Sequence, residues 1–133
     1  MRFIFPVRVY YEDTDAGGVV YYANYLKFCE RARTELLRAK GYVQSDLKNQ
    51  YGILFVIRKV QIDYLRPAVF DDLLNVSATV STLKKASVHF EQTICCADKL
   101  LCTATIEVAC VRADTFKPCA IPNTLAEQLL HES

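Results

Sequence analysis

From Leu74 to Arg112 the chain runs through three stretches of alternating apolar and polar residues, joined by links of only a few residues. In Leu74–Thr82 the apolar set is Leu74, Val76, Ala78 and Val80, against Asn75, Ser77, Thr79 and Ser81. Ser87–Cys96 repeats the period with Val88, Phe90, Ile94 and Cys96, and Leu100–Arg112 with Cys102, Ala104, Ile106, Val108 and Cys110. A period of two is that of a strand with one buried face. The links at Lys84-Lys85 and Ala97–Lys99 are too short for a crossover, so the strands form an antiparallel meander. Something else in the chain has to cover its apolar face.

The cover lies upstream. Between Asn24 and Lys40 the period becomes helical, with Tyr25, Cys29, Ala32 and Leu36 at i, i+4, i+7 and i+11 and Leu26 and Leu37 beside them. At 1.5 Å per residue such a helix is ~26 Å long, enough to lie along several strands. Asn24 is a candidate cap at its start, and Gly41 fits the position just past its end. Before it, Phe5–Tyr11 alternates with Phe5, Val7, Val9 and Tyr11 on one side, and Pro6 suggests an edge strand or a strand start. After it, Ile53–Leu65 is apolar on both faces up to Ile57 and then only on the face of Val60, Ile62 and Tyr64. Its first half therefore needs cover on both sides. Pro122–Leu130 suits a short helix with Pro at its first position.

These elements fit an α+β domain: a five-stranded, mostly antiparallel sheet wrapped around one long helix, in a single domain spanning residues 1–133. The other face of the sheet is rich in Ser and Thr, with Val111 and Ile57 added, and has no second long helix to cover it. A homo-oligomeric interface is expected there.

Sixteen basic and fifteen acidic residues give a formal charge of +1, so no overall field would recruit nucleic acid or an anionic membrane, and any anion site has to be local. The longest apolar runs, such as Ile53–Ile57, fall far short of the ~18 to 20 residues needed to span a bilayer. The start MRFIFPVRVYYEDTDAGG lacks the features of a signal peptide, and a soluble, cytoplasmic protein is expected. Cys29, Cys95, Cys96, Cys102, Cys110 and Cys119 show no CxxC spacing and read as reduced structural thiols. With only His89 and His131 to join them, neither a metal site nor any other cofactor is expected. His89, between Val88 and Phe90, points away from the inferred core and reads as a surface or interface residue.

The most unusual stretch is Tyr10–Tyr25, YYEDTDAGGVVYYANY, in which strand, acidic turn, paired glycines and helix start follow one another directly. Asp, Thr and Gly from Glu12 to Gly18 favour a turn, and on spacing alone Asp13 and Asp15 read as turn caps. A second reading is chemical. Glycines let backbone approach a ligand, a helix start offers unpaired N–H groups with positive partial charge, and a carboxylate stands beside them. Such a set stabilises a developing oxyanion.

YYEDTDAGGVVYYANY, followed by ERARTELL in the helix and FVIRKVQIDYLRPAVFDD in the later strand, resembles the Tol-Pal-associated acyl-CoA thioesterases of the hydroxybenzoyl-CoA thioesterase family. The similarity runs from about Pro6 to Cys119 and centres on the block DTDxxGxVYxxxY. It implies a hot-dog fold, hydrolysis of acyl-CoA to free acid and coenzyme A, and assembly as a homotetramer, a dimer of dimers with sites near subunit interfaces. Asp15, the second aspartate of the DTD element, would be the catalytic carboxylate, attacking directly or deprotonating a water. A backbone N–H mapping to Tyr22 would polarise the thioester carbonyl, and Gly17 and Gly18 fit that close approach. Many members of this branch carry His where this chain has Tyr22; the backbone role is indifferent to that change. The resemblance also places the Lys84-Lys85-Ala86-Ser87 turn on the basic stretch that contacts the nucleotide phosphates of coenzyme A.

Tyr11 and Tyr25 are candidates for lining the acyl pocket, with buried packing as the other reading of each. Arg58 interrupts the apolar row Leu54, Val56, Val60, Ile62 and has to reach solvent, a carboxylate or a ligand; Lys59 and Arg66 are weaker candidates. Glu30 is the rival acid, unless it pairs with Lys27 or Arg33 at helical spacing. A non-hydrolytic protein that binds acyl-CoA or acyl carrier protein remains the alternative function, and acyl carrier protein is also an alternative substrate carrier.

Overall fold

The structure, a computed structural model, describes residues 3–130, so His131 lies outside it. Strands β1 (Phe3–Arg8), β2 (Ile53–Tyr64), β3 (Leu73–Leu83), β4 (Ser87–Cys96) and β5 (Lys99–Arg112) form one sheet in the order β1-β3-β4-β5-β2, and every pairing is antiparallel. Helix α1 (Asn24–Ala39) lies on one face of it. Tyr25, Phe28, Cys29, Ala32 and Leu36 of α1 are buried against Leu74, Val76, Val88, Phe90, Ile94, Cys102 and Ile106 of the sheet. Full burial of a side chain such as Phe28 or Leu36 contributes roughly 2 kcal/mol, so this contact supplies most of the core. Past α1, the N–H of Gly41 (φ +90°) bonds the Arg38 carbonyl and that of Tyr42 the Leu37 carbonyl, the two bonds of a Schellman stop.

Several expectations are corrected. The first strand ends at Arg8 rather than Tyr11, because Val9 turns to bond the backbone of Asp71 and Asp72. Asn24 is already helical and does not cap α1; residue 23, at the cap position, is alanine. Residues 44–51 make a short helix, α2 (Gln44–Asp46), continued by a π-type turn (Leu47–Tyr51) in which only Leu47 is buried, too little periodicity to be seen in advance. The closing helix α3 runs Asn123–Leu130, with Pro122 just ahead of it.

In β2 the pairing with β5 passes from Ile57–Val108 to Lys59–Glu107, leaving Arg58 as an extra residue. The bulge reverses the alternation. Ile53, Phe55 and Ile57 share the helix-side face with Val60, Ile62 and Tyr64, while Leu54 and Val56 look outward, opposite Val111 and Ala109. Leu54, Val56, Val60 and Ile62 are thus not one row, and Ile57 does not belong to the outer face.

The helix-side face also carries a polar residue that the inward series passes over. Gln92 is 1% exposed and its carboxamide accepts from Arg33 Nη1 at 2.8 Å, while its Nε2 donates to the carbonyls of Cys29 and Ser77 at 3.1 Å each. Arg33 is 8% exposed, and burial pushes its pKa down. A single amide therefore ties α1, β3 and a buried cation together. Gln92→Leu is expected to cost about 3 kcal/mol in urea unfolding, because the guanidinium and two carbonyls lose their partner. Arg33→Met combined with Gln92→Leu should cost less than the sum of the single changes, and strict additivity would show that the two residues act independently.

Candidate active site at the turn before the long helix

The chain from Val9 to Tyr25 is seated on residues 64–72. Val9 N–H bonds the Asp72 carbonyl and Asp71 N–H the Val9 carbonyl; Val20 N–H bonds the Ala68 carbonyl; Val19 bridges to Val69. On this seat Tyr11–Asp13 makes one 3-10 turn, and Thr14 pairs with Val20 across a tight reversal. Within the reversal Asp15 N–H bonds the Val19 carbonyl at 2.9 Å and Gly18 N–H the Asp15 carbonyl at 3.0 Å. Gly18 has φ +81°, which an L side chain would strain.

The two aspartates, equivalent as sequence, differ in structure. Asp13 is half-buried and lines a groove with Tyr10, Glu12 and Arg31: its Oδ2 accepts from the Tyr10 N–H at 2.8 Å, and its backbone carbonyl accepts from both the Tyr21 N–H and Asn24 Nδ2 at 2.9 Å. Asp15 accepts one bond to its side chain, from Gly17 N–H to Oδ1 at 2.8 Å, and is exposed. A Cβ at residue 17 would come within 3.2 Å of that oxygen, so glycine there leaves the carboxylate its place. Among the described residues neither Asp15 Oδ2 nor Asp13 Oδ1 has a partner; of the two side chains that of Asp15 is the more exposed, and its charge acts on Tyr21 and Tyr25.

The helix start beside it is uncapped. No side chain caps α1, Asn24 having turned to Asp13, and the N–H of Tyr22 meets no acceptor among the described residues. A groove of about 270 Å³ opens alongside, lined by Val20, Tyr22, Tyr25, Tyr64, Leu65, Arg66 and Pro67. Tyr25 is 3% exposed and its hydroxyl accepts from Ala68 N–H at 3.0 Å, so it serves both readings, packed in the core and forming a wall of the groove. Burial raises its pKa, with the Asp15 charge adding to the rise. Tyr21 is raised too, first by its neighbour Tyr22 and in smaller part by Asp15, which places the carboxylate's field over both phenols.

Other expected site residues lie elsewhere. Tyr11 is 80% exposed and packs edge-on against Phe70 at 6.0 Å, outside the groove. Arg58 sits on the β2 bulge with Nε 3.7 Å from Glu107, six residues up the strand from Tyr64, and Lys59 is exposed beside it. His89 is on the outer face with Nε2 3.5 Å from the same Glu107, though not in hydrogen-bonding geometry. Arg66, the weaker candidate, lines the groove. Lys84 and Lys85 are exposed at the β3–β4 turn and Ser87 is buried beside them, at the opposite end of the sheet from the acidic turn. At ~3.3 Å per residue the length of β3 separates them by about 30 Å. One chain does not bring these residues to Asp15.

Glu30 is exposed, and no ion pair joins it to Lys27 or Arg33 among the described residues; it lines a separate groove with Leu26, Lys27, Arg33, Ile57, Val60 and Ile106. No cysteine is in a disulfide, and burial pushes the thiols of Cys29 up to about 11 and of Cys102 and Cys110 to about 12. Tyr64, whose hydroxyl donates to the Tyr22 carbonyl at 3.0 Å, is not among the site residues expected from the sequence. Its only advance signal is its place at the end of the apolar series Val60, Ile62, Tyr64.

The model of the thioesterase-like superfamily matches residues 9–129. The acyl-CoA thioesterase YbgC of Haemophilus influenzae is 48% identical over 129 residues, covering 97% of this chain and 95% of that protein. The acyl-CoA thioesterase YbgC of Helicobacter pylori is 37% identical over 131 residues, covering 92% and 96%. Among solved structures, a probable thioesterase from Bartonella henselae superposes with a TM-score of 0.88 at 38% identity, covering 92% of this chain and 100% of that one. A 1,4-dihydroxy-2-naphthoyl-CoA thioesterase from Synechocystis shares the fold with a TM-score of 0.91 at 22% identity, covering 98% and 97%. With its five-stranded antiparallel sheet, its long helix and a sequence match over nearly its whole length, the chain belongs to the thioesterase-like superfamily and has the hot-dog fold.

Proposed function

We propose that this protein hydrolyses acyl-CoA to free acid and coenzyme A at the turn–helix junction, with Asp15 as the catalytic carboxylate and the Tyr22 N–H as the donor to the thioester oxygen. One observation carries the assignment of roles: Asp15 is the exposed aspartate whose charge reaches Tyr21 and Tyr25 at the uncapped helix start, whereas Asp13 lines a different groove with Tyr10 and Arg31. The relatives named acyl-CoA thioesterase, similar over most of their length, support the reaction class.

The thioester carbonyl lies in the groove with its oxygen toward the Tyr22 N–H, so charge that develops there meets a donor held in place beforehand. Asp15 then acts in one of two ways. As a base it takes a proton from water, the hydroxide adds to the carbonyl carbon, and the thiolate that departs recovers the proton. As a nucleophile its oxygen adds to that carbon, the thiolate leaves, and water hydrolyses the resulting anhydride. The uncoordinated Oδ2 supports either course, since Oδ1 is held by Gly17.

The DTDxxGxVYxxxY block supports the narrower placement in the Tol-Pal-associated branch of the hydroxybenzoyl-CoA thioesterases, working in the cytoplasm. We place the coenzyme A phosphates on Lys84 and Lys85 of a neighbouring copy, because a chain's own basic turn lies at the wrong end of its sheet. This calls for assembly, proposed as a dimer of dimers. Its supports are the Thr- and Ser-rich outer face, which forms a shallow depression of about 460 Å³ including Thr79, Thr93, Thr103 and Thr105, and the exposed Ile57 and Val60 near the β2 edge.

Asp15→Asn keeps the acceptor for Gly17 N–H and removes the charge. Thiol release from a panel of acyl-CoA and acyl-carrier-protein thioesters should fall by roughly a hundredfold or more in kcat, with the thermal midpoint little changed. Undiminished hydrolysis would overturn Asp15 as the catalytic group, and binding without hydrolysis by the wild type would favour a recruitment role. Asp13→Ala should lose about 1 kcal/mol of stability in urea melts, as a missing cap does. Light scattering after size exclusion should give a mass of four chains; a clean monomer at micromolar concentration would refute the shared site.

A further inference from the structure

Tyr64 ends β2 beside the helix start and spans 42 residues of sequence to reach it: its hydroxyl donates to the Tyr22 carbonyl at 3.0 Å. Its ring stands edge-on to Tyr25, with centroids 5.4 Å apart, and to Tyr22 at 6.3 Å with an interplanar angle of 89°. The residues flanking Tyr22 are tied elsewhere. Tyr21 is held through its N–H by the Asp13 carbonyl, and Tyr25 through its hydroxyl by Ala68. Between them Ala23 has only a methyl, which makes no hydrogen bond, and Asn24 turns its side chain to the acidic turn while its N–H bonds the Tyr21 carbonyl at 2.9 Å. The Tyr64 hydroxyl is thus the side-chain anchor of the Tyr22 backbone among the described residues.

We infer that Tyr64 is a positioning residue for hydrolysis: its bond to the Tyr22 carbonyl holds the 22–23 peptide while the Asn24 N–H bond to the Tyr21 carbonyl holds the 21–22 peptide, and the two together fix Tyr22, whose N–H receives the thioester oxygen. The inference rests on Asp15 and the Tyr22 N–H being the hydrolytic pair. A donor stabilises a developing oxyanion in proportion to how well it is placed before the reaction, and rotation about the bonds flanking Tyr22 would turn the N–H away. Tyr64 need not touch the reacting atoms to act this way. Burial raises its pKa, so it remains a neutral phenol and is no base for the reaction.

Tyr64→Phe removes the hydroxyl and keeps the ring contacts. Relative to wild type, kcat for thiol release is expected to fall roughly tenfold with KM within about twofold, and the pH dependence of kcat should keep its shape. In amide correlation spectra the Tyr22 and Ala23 resonances should move or broaden, while those of α1 from Phe28 onward stay in place. Wild-type kcat in Tyr64→Phe would overturn the inference. So would a change confined to KM, which would make Tyr64 a wall of the acyl pocket, and so would an altered pH profile, which would make it a proton-transfer group. If the wild type hydrolyses no thioester, the proposed function falls and this inference with it. If Asp15→Asn is inactive while Tyr64→Phe is fully active, this inference falls alone.

Discussion

The Gln92 amide meets three partners at once: a guanidinium from α1, a carbonyl of the same helix one turn earlier, and a carbonyl of β3. Apolar contacts are non-directional and would tolerate small slides of α1 along the sheet, but a fully used carboxamide does not. Arg33 raises the stakes, since a buried guanidinium without an acceptor is strongly unfavourable. The axial position of α1 follows from this contact, and so does the position of its N-terminus over residues 64–72.

The same economy runs through the junction ahead of the helix. A capping side chain at residue 23 would stabilise α1 by roughly 1 kcal/mol and compete for the N–H groups at its start. Alanine stands there instead, and the loop is secured from outside, by backbone bonds to Ala68 and Asp72 and by the phenols of Tyr25 and Tyr64. Two aspartates separated by Thr14 both brace the turn, Asp13 through the Tyr10 N–H and Asp15 through the Gly17 N–H, and Asp15 is the more exposed of the two. Stability is given up at the position where a ligand would need the donors.

The helix and the β3–β5 meander could be read from the sequence because one face of each is buried and the other wet, so periods of 3.6 and 2 survive. The bulge in β2 could not, because Leu54 and Val56 are apolar as well as Ile53, Phe55 and Ile57, and a strand apolar on both faces carries no phase. Gln92 was visible only as a gap in an apolar series. The acidic turn stands out by composition, yet its two aspartates become distinguishable only in the fold, which leaves Asp15 exposed with its charge on Tyr21 and Tyr25 and sets Asp13 half-buried in a groove with Tyr10 and Arg31. Tyr64 and the distance of Lys84 and Lys85 from Asp15 both depend on which strand ends lie together, which is a property of topology and not of local pattern.

The extra residue at Arg58 works as a half-turn in the addressing of β2. Upstream of it, even positions face outward; downstream, even positions face the helix, and Tyr64 is among them. Evolution can change any side chain along this strand one at a time, but losing a single residue between Ile57 and Lys59 would re-address Val60, Ile62 and Tyr64 together. The groove would then present to a substrate the face that now carries Gln61 and Asp63. Residue count in this strand is accordingly as much a part of the site as the identity of Tyr64.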